Sequence, residues 1–141
     1  VTREVIAAPA GAVDAYFEAL EATLHAEIEV GAMAARHAVY NPDPTKLEIH
    51  RRKREMAEEI DGGAAIDPVK HDYVVEEAAL LGVTAPALAT SILAKVSAIA
   101  AAGKAVELAQ TAAEIAVTQT KGDEAAMRAA AVVDWSSLGG A

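Results

Sequence analysis

Histidine is the side chain best suited to bind a metal or move a proton near neutral pH, and four histidines are scattered along this chain. No two of them are four residues apart, and none has a carboxylate three residues before it, as helical di-iron sites require. Glu21 and His25 could meet across one helical turn, but two ligands do not make a metal site. The pattern predicts no metal site at the four histidines, which are His25, His37, His50 and His71.

The sequence also has none of the usual motifs for nucleophilic catalysis or phosphate binding. The chain has no cysteine, no Gly-x-Ser-x-Gly elbow and no glycine-rich phosphate loop. Gly62-Gly63 and Gly139-Gly140 read as a linker and a tail. The acidic residues of the first helix give no sign of the burial that would separate the pKa values of an acid–base pair. The sequence therefore predicts no catalytic residue, no cofactor and no enzyme activity.

A basic run, His50-Arg51-Arg52-Lys53-Arg54, is the most conspicuous charge feature. Its arginines stand four residues from acidic ones in three pairs, which is the spacing of a solvated helix surface. No aromatic residue interleaves the run to stack on bases. We interpret it as a solvated face or subunit contact; the three pairs are Glu48–Arg52, Arg51–Glu55 and Arg54–Glu58.

Composition narrows the class of protein. The 141 residues carry a formal net charge of −9, which opposes binding to nucleic acid. Hydrophobic residues make up 53% and aromatic residues only 4%, and about a quarter of the chain is alanine. Such a chain forms helices readily but is short of core volume, which favours an all-α oligomer. The apolar stretches carry lysines and are weakly hydrophobic, so no membrane span is expected.

One long helix organises the chain, from about residue 85 to residue 121. Thr84 is a suitable N-cap, Pro86 fits the first turn, and Gly122 fits a left-handed C-cap. Apolar or small residues recur every three or four positions, close to the helical period. The stripe contains Leu88, Ile92, Val96, Ile99, Ala102, Val106, Ala109, Ala113 and Val117.

Proline and glycine divide the rest into shorter helices. We predict an arm at 1–11, a single helical domain at 12–134, and a tail at 135–141. The predicted fold is all-α: an elongated helical hairpin or bundle with one helix of about 36 residues. Asp43 or Thr45 could cap the second helix, and Gly31 is a weak spot in the first. Predicted helices cover about 12–39, 44–60, 68–81, 85–121 and 123–133.

The apolar stripe of the first helix has two interpretations. It could be the face of an intramolecular core, or the seam of a coiled coil with other copies of the chain. Trp135, the only tryptophan, is expected to anchor the tail. The candidate protein-contact residues are Val13, Phe17, Leu20, Leu24, Ile28, Tyr40, Tyr73 and Trp135.

The segment DYVVEEAALLGVTAPALATSIL, Asp72 to Leu93, resembles alanine-rich helical proteins encoded among the tail and tail-fibre genes of tailed bacteriophages. Those proteins show a Tyr, a short apolar-acidic helix, a Gly-x-Thr break and a long alanine-rich helix, and often a Trp motif like Asp134-Trp135. Arg36, Tyr40 and Pro42 resemble their Arg-x-x-Tyr-x-x-Pro turn in residue types and order, with the spacing Arg-x-x-x-Tyr-x-Pro here. In the helix start that follows, His50 stands where their Tyr would be, and only Lys53 matches.

The resemblance implies a structural protein of a phage or phage-like particle, placed near tail, fibre or baseplate. Such a protein would be made in the host cytoplasm, reside in the virion, and bind copies of itself and other virion proteins. Two alternatives are a capsid-decorating (cement) protein and a non-virion helical assembly chaperone or adaptor. The latter would offer an apolar groove to a partner helix.

Overall fold

A computed structural model describes residues 11–40 and 43–138. The described residues form α-helices and one short 3-10 helix, with no strand among them. Residues 1–10 of the expected arm, Asn41-Pro42 of the proline turn, and the Gly139-Gly140 tail lie outside the described residues. The helices are α1 (Ala12–Val39), α2 (Pro44–Asp61), α3 (Asp72–Leu81), α4 (Ala85–Gln119), α5 (Glu124–Ala130) and a 3-10 turn, Trp135–Ser137.

The first two helices begin and end within one residue of their predicted bounds. α1 continues through Gly31, so the expected weak spot does not interrupt it. The N-cap of α2 is Asp43, whose carboxylate accepts the backbone N–H of Thr45 at 2.9 Å, and Pro44 follows at N1. Of the two capping interpretations, the aspartate with an N1 proline is the one that forms.

The third helix starts later than the sequence predicts. Asp67 and Pro68 open a turn, and the Asp67 carboxylate accepts the backbone N–H groups of Val69 and Lys70. These bonds give the local backbone a partner outside the helix, so α3 begins only at Asp72. Val69, which the sequence predicts within this helix, falls in the turn instead and is 85% exposed.

The long helix α4 forms as predicted, with an earlier end. Thr84 caps it, since its hydroxyl accepts the backbone N–H of Ala87 at 3.2 Å. The helix ends at Gln119. The Thr120 hydroxyl donates to carbonyl oxygens of the last turn, and Gly122 adopts a left-handed φ of 104°. Thirty-five residues at 1.5 Å each give a length of about 52 Å.

The last helix is short and well capped. The Asp123 carboxylate accepts the backbone N–H of Ala126 at 3.1 Å and starts α5, as the sequence predicts. The helix ends at Ala130, three residues before the predicted bound. The chain then enters the 3-10 turn that begins at Trp135.

The described chain divides into two compact units. Unit one combines residues up to 36 with residues 105–138, and unit two comprises residues 37–104. α1 and α4 each run through both ranges. The single helical domain predicted over 12–134 stays a prediction.

Unit one is held by two apolar clusters. In the first, α1 packs on the end of α4 and on Met127 of α5. In the second, Ala32 and Ala35 of α1 pack on Val106 of α4. The first cluster contains Leu20, Leu24, Ile28, Ala113, Val117 and Met127.

Unit two has a single cluster, formed by the end of α2, the middle of α3 and the start of α4. Leu81 is 60% exposed because it is the last residue of α3 and lies beyond the cluster. Along α4, the expected stripe is buried at Leu88, but Ile99 is 40% exposed. The cluster contains Met56, Ala57, Ile60, Val74, Ala78, Leu88 and Ala89.

Candidate protein-contact site

Most of the candidate contact residues on α1 are occupied within the chain. Leu20, Leu24 and Ile28 are 6%, 2% and 1% exposed and belong to the first apolar cluster of unit one. Phe17 packs partly against the same cluster, and Val13, one turn earlier, is exposed. Of the two interpretations of this stripe, the intramolecular core accounts for its central residues.

Trp135 packs partly against both apolar clusters of unit one. Its indole lies directly on Gly31 of α1, where an added Cβ would come within 2.3 Å of the indole Nε1 atom. Glycine is therefore the residue that lets the indole reach the helix backbone. From the sequence alone, Gly31 is simply a residue that disfavours a helix. Its contact with Trp135 explains why the helix retains it.

Polar side chains follow one edge of the α1–α4 contact in unit one. Arg36 donates to the carboxylate of Glu107 and to the side-chain oxygen of Gln110, both at 2.6 Å. Gln110, only 8% exposed, donates in turn to Glu29 on α1 and to Glu114 on α4. Each buried polar atom of this glutamine thus has a partner, as burial requires.

The same edge continues toward the start of α1. The His25 ring nitrogen Nε2 lies 3.2 Å from the Glu114 carbonyl oxygen, and Lys121 pairs with Glu18 and Glu21. The Thr118 hydroxyl, followed by the Lys121 ammonium, holds the pKa of Glu21 below its usual value. The hydrogen bond to Glu18 raises the pKa of Lys121. We call this edge the polar ladder: Glu18, Glu21, His25, Glu29, Arg36, Glu107, Gln110, Glu114, Thr118 and Lys121.

Most charged side chains of α1 belong to the polar ladder. Charged side chains normally cover the side of a helix opposite the core. In α1 most of them lie instead at the edge that meets α4, and the outward side carries mainly small or apolar side chains, with the exposed Glu27 beside them. Sequence reasoning missed this surface, although the positions of the α1 charges relative to the core stripe carry the signal. We name it the outer α1 face: Ala15, Ala19, Ala22, Thr23, Ala26, Val30 and Met33, all exposed.

In unit two the basic run of α2 is compensated within the chain. Arg51 bonds to Glu48 and Glu55, so the predicted pair between Glu48 and Arg52 does not form. Arg52 lies instead over the ring of Tyr73, with the guanidinium carbon 5.3 Å from the ring centroid. Two further pairs complete the compensation: Arg54–Glu58, as predicted, and Lys53–Glu77.

A buried histidine closes the turn before α3. His71 is 1% exposed, and its Nδ1 atom accepts the backbone N–H of Asp67 at 3.0 Å. Its other nitrogen, Nε2, lies 2.7 Å from the Glu59 carboxylate and donates to it. This hydrogen bond, with one from Lys70, holds the pKa of Glu59 below its usual value. The arrangement fixes a loop and leaves His71 no free nitrogen for a ligand. Tyr40, the remaining candidate in this unit, is 40% exposed.

Two depressions lie on the surface of the described residues. A depression of about 240 Å³ lies beside His25 and Glu114. A second, of about 460 Å³, lies on the outer α1 face and is lined by Thr23, Ala26, Glu27 and Val30. Both are shallow and open. Within residues 11–40 and 43–138, no three metal-ligating side chains are grouped.

Comparison of the chain with protein-family models, curated proteins and solved structures finds no match. Function must therefore be argued from the chain itself. One helix, α4, is long and apolar enough to cross a membrane by length and composition alone, and 17% of its most apolar window is buried. Core helices of water-soluble proteins can pass the same test, so the criterion is weak evidence.

Proposed function

We propose that this chain is a structural protein of a tailed bacteriophage or phage-like particle, associated with tail, fibre or baseplate. It works through protein–protein contacts, with copies of itself and other virion proteins as partners. The likeness of Asp72–Leu93 to phage tail-gene products supports the setting. The exposed aliphatic side chains support action through protein–protein contacts.

Large aliphatic side chains exposed on separate elements carry the proposal. Leu80 at the end of α3 is 89% exposed, Val69 before α3 is 85%, and Val132 after α5 is 80%. Fully burying one such side chain is worth about 1.5–3 kcal/mol, so partners that cover them gain appreciable stability. Scattered aliphatic exposure and shallow depressions suit a protein that is held by neighbours.

We place α4 in water and in contact with protein, not in a bilayer. Lys95 lies in the apolar first half of the helix, and a lysine at the centre of a bilayer costs about 2.5–3.5 kcal/mol. The alanines around it are only weakly hydrophobic. The same small side chains let another helix approach closely.

The test is mass spectrometry of density-purified particles from the source, with copy number measured against the major capsid protein. A few to tens of copies per particle is the expected result for a tail, fibre or baseplate component. Hundreds of copies would replace this with a capsid-decorating role. Absence from particles, with abundance in the lysate, would overturn a virion role.

A helical assembly chaperone or adaptor is the second candidate, and the turn between α3 and α4 favours it. Leu80, Leu81 and Val83 are all exposed there within four residues, which gives a compact apolar patch for a partner helix. This protein would be recovered from lysate bound to a virion protein and would be missing from finished particles.

A further inference from the structure

We propose that His71 makes the turn at residues 67–71 a pH-operated latch between α2 and α3. A proton taken up on the Nδ1 atom of the ring releases the backbone of Asp67 and lets the turn open, while the ring stays bound to Glu59. The latch uses the one histidine that is buried among the described residues. It is a property of the isolated chain, whatever the chain binds.

The first argument is the protonation state of the ring, which its two contacts define. The backbone nitrogen of Asp67 can only donate a hydrogen bond, so the Nδ1 atom that lies 3.0 Å from it carries no proton and accepts. The single proton of a neutral imidazole is therefore on Nε2, which lies 2.7 Å from the Glu59 carboxylate. The closed turn thus holds one tautomer of His71, with both ring nitrogens in use.

The second argument is the effect of a further proton. It can bind only to Nδ1, where it converts the acceptor into a second donor that faces the N–H group of Asp67. That hydrogen bond is then lost. Because the ring is 1% exposed, water does not reach Nδ1 in the closed turn, and a buried donor without an acceptor is unfavourable. The backbone must move away before both N–H groups can bind water.

The third argument comes from the charged groups that face the ring. Glu59 of α2 favours the protonated ring and keeps its hydrogen bond to Nε2 in both states. The His71 contact, followed by Lys70, holds the pKa of Glu59 below its usual value, so this carboxylate remains ionised across the range in which histidines titrate. The proton therefore detaches the turn from the ring without detaching the ring from α2.

The turn and α3 also contribute charges near the ring. The Asp67 carboxylate accepts the backbone N–H groups of Val69 and Lys70, which lower its pKa. The carboxylate of Asp72, the first residue of α3, accepts the backbone N–H of Tyr73 at 2.9 Å. Lys70 opposes a positive ring. Both carboxylates are engaged by backbone donors in the closed turn, so Glu59 is the anion that holds the ring.

The latch has a consequence for Val69, which lies in this turn and is 85% exposed. It is one of the aliphatic side chains that carry the proposed partner contacts. Opening of the turn displaces Val69 from the position that Asp67 sets, so a partner contact made there weakens as the pH falls. This consequence rests on the proposed function, and the latch itself does not.

The experiment is an NMR titration of the isotope-labelled full chain from about pH 8 to about pH 5, the range in which histidines titrate. Ring nitrogen shifts report the tautomer and protonation of each histidine. Amide exchange, corrected for its intrinsic pH dependence, reports opening at Asp67. We expect the Nε2–H tautomer of His71 at the upper end. The protection of the Asp67 amide should then fall about tenfold or more as His71 takes up its proton.

His25 is the matched control within the same chain. Its Nε2 atom lies 3.2 Å from the carbonyl oxygen of Glu114, so a proton added to its Nδ1 atom leaves that hydrogen bond in place. Protection of the surrounding α1 amides should therefore not follow the titration of His25.

His71→Asn provides a second readout. The asparagine side-chain oxygen can accept the Asp67 N–H but does not titrate, so the protection of Asp67 should stay constant over the same pH range. Circular dichroism verifies that the variant keeps its helices. If it does not fold, the titration of the parent chain decides alone.

Four results would overturn the inference. They are an Nδ1–H tautomer of His71 at neutral pH, unchanged protection of Asp67 while His71 titrates, a ring that takes up no proton before the chain unfolds, and a folded His71→Asn variant with the pH dependence of the parent. None of these bears on particle association, which mass spectrometry decides separately. A working latch in a protein that is absent from particles would keep this inference and remove the virion role.

Discussion

The two units differ in how much of their charge lies between helices. In unit one most charges of α1 lie between helices, in the polar ladder, and Glu27 is an exposed exception. In unit two Arg51 and Arg54 of α2 pair with neighbours on their own helix, while Arg52 and Lys53 contact Tyr73 and Glu77 of α3. Charges placed between helices fix how the helices meet, and charges placed outside keep a surface in water. Most charge of α1 is thus directed to a neighbouring helix, whereas the charge of α2 is divided between its own surface and α3.

The largest expected effect comes from the apolar core of unit one. Leu24→Ala should reduce the free energy of unfolding by about 2–5 kcal/mol, because the side chain is fully buried and leaves a cavity. Ile60→Ala is the corresponding change in unit two. Urea unfolding followed by circular dichroism measures both. If each variant shifts a different transition, the units unfold separately; one shared transition would show that they are coupled.

The polar ladder should contribute more to stability than the surface pairs of α2. Arg36→Ala leaves the buried Gln110 oxygen without its donor and should cost about 1–3 kcal/mol. Arg54→Ala removes a pair whose two side chains are both more than half exposed, and should cost about 0.5 kcal/mol or less. Urea midpoints provide the comparison. Equal costs for the two arginines would remove the distinction drawn between the units.

The contact between Gly31 and Trp135 can be tested with a pair of glycine variants. Gly31→Ala places a Cβ against the indole and should destabilise unit one by about 1–2 kcal/mol, although alanine favours the helix. Gly103→Ala, in α4, meets no atom within 4 Å and should stabilise by about 0.4–1 kcal/mol. Fluorescence of the single tryptophan should shift to the red only in the first variant. An unchanged spectrum would show that the indole does not lie on Gly31.

The smallest effect concerns acid stability in unit two. The pKa of Glu59 is lowered by His71 and Lys70, so its carboxylate contributes stability above its ordinary pKa of 4.5. That contribution is lost as the pH falls through the lowered value. Asp67, whose pKa is lowered by the backbone N–H groups of Val69 and Lys70, acts in the same direction.

Glu59→Gln should therefore flatten the fall in stability below pH 5, measured as urea midpoints at several pH values. Glu58→Gln, the neighbouring residue in an exposed pair, is the control and should change this slope less. A steeper acid slope in Glu59→Gln than in the parent chain would contradict the proposed role of the His71 contact.

Local signals predicted most helix bounds. Asp43 with Pro44, Thr84 with Pro86, and Asp123 each start a helix, because capping depends on residues a few positions apart. The predicted start of α3 was wrong. The Asp67 carboxylate accepts backbone N–H groups of the residues that follow, and the resulting turn competes with the helix.

Contacts between distant residues could not be predicted in this way. Nothing near Gly31 in the sequence indicates that Trp135, over a hundred residues later, lies on it. The polar ladder is an intermediate case. The α1 charges show which edge they occupy, but their partners depend on the register between α1 and α4, which pairs Arg36 with Glu107 and Glu18 with Lys121.

The contact of Trp135 with Gly31 also constrains how the chain can evolve. A side chain at position 31 would meet the indole, so a lineage that retains the tryptophan loses stability when it replaces the glycine. Loss of Trp135 would release that requirement and allow alanine, which suits a helix better. Among descendants of this sequence, the two positions are expected to change in a fixed order, with the tryptophan first.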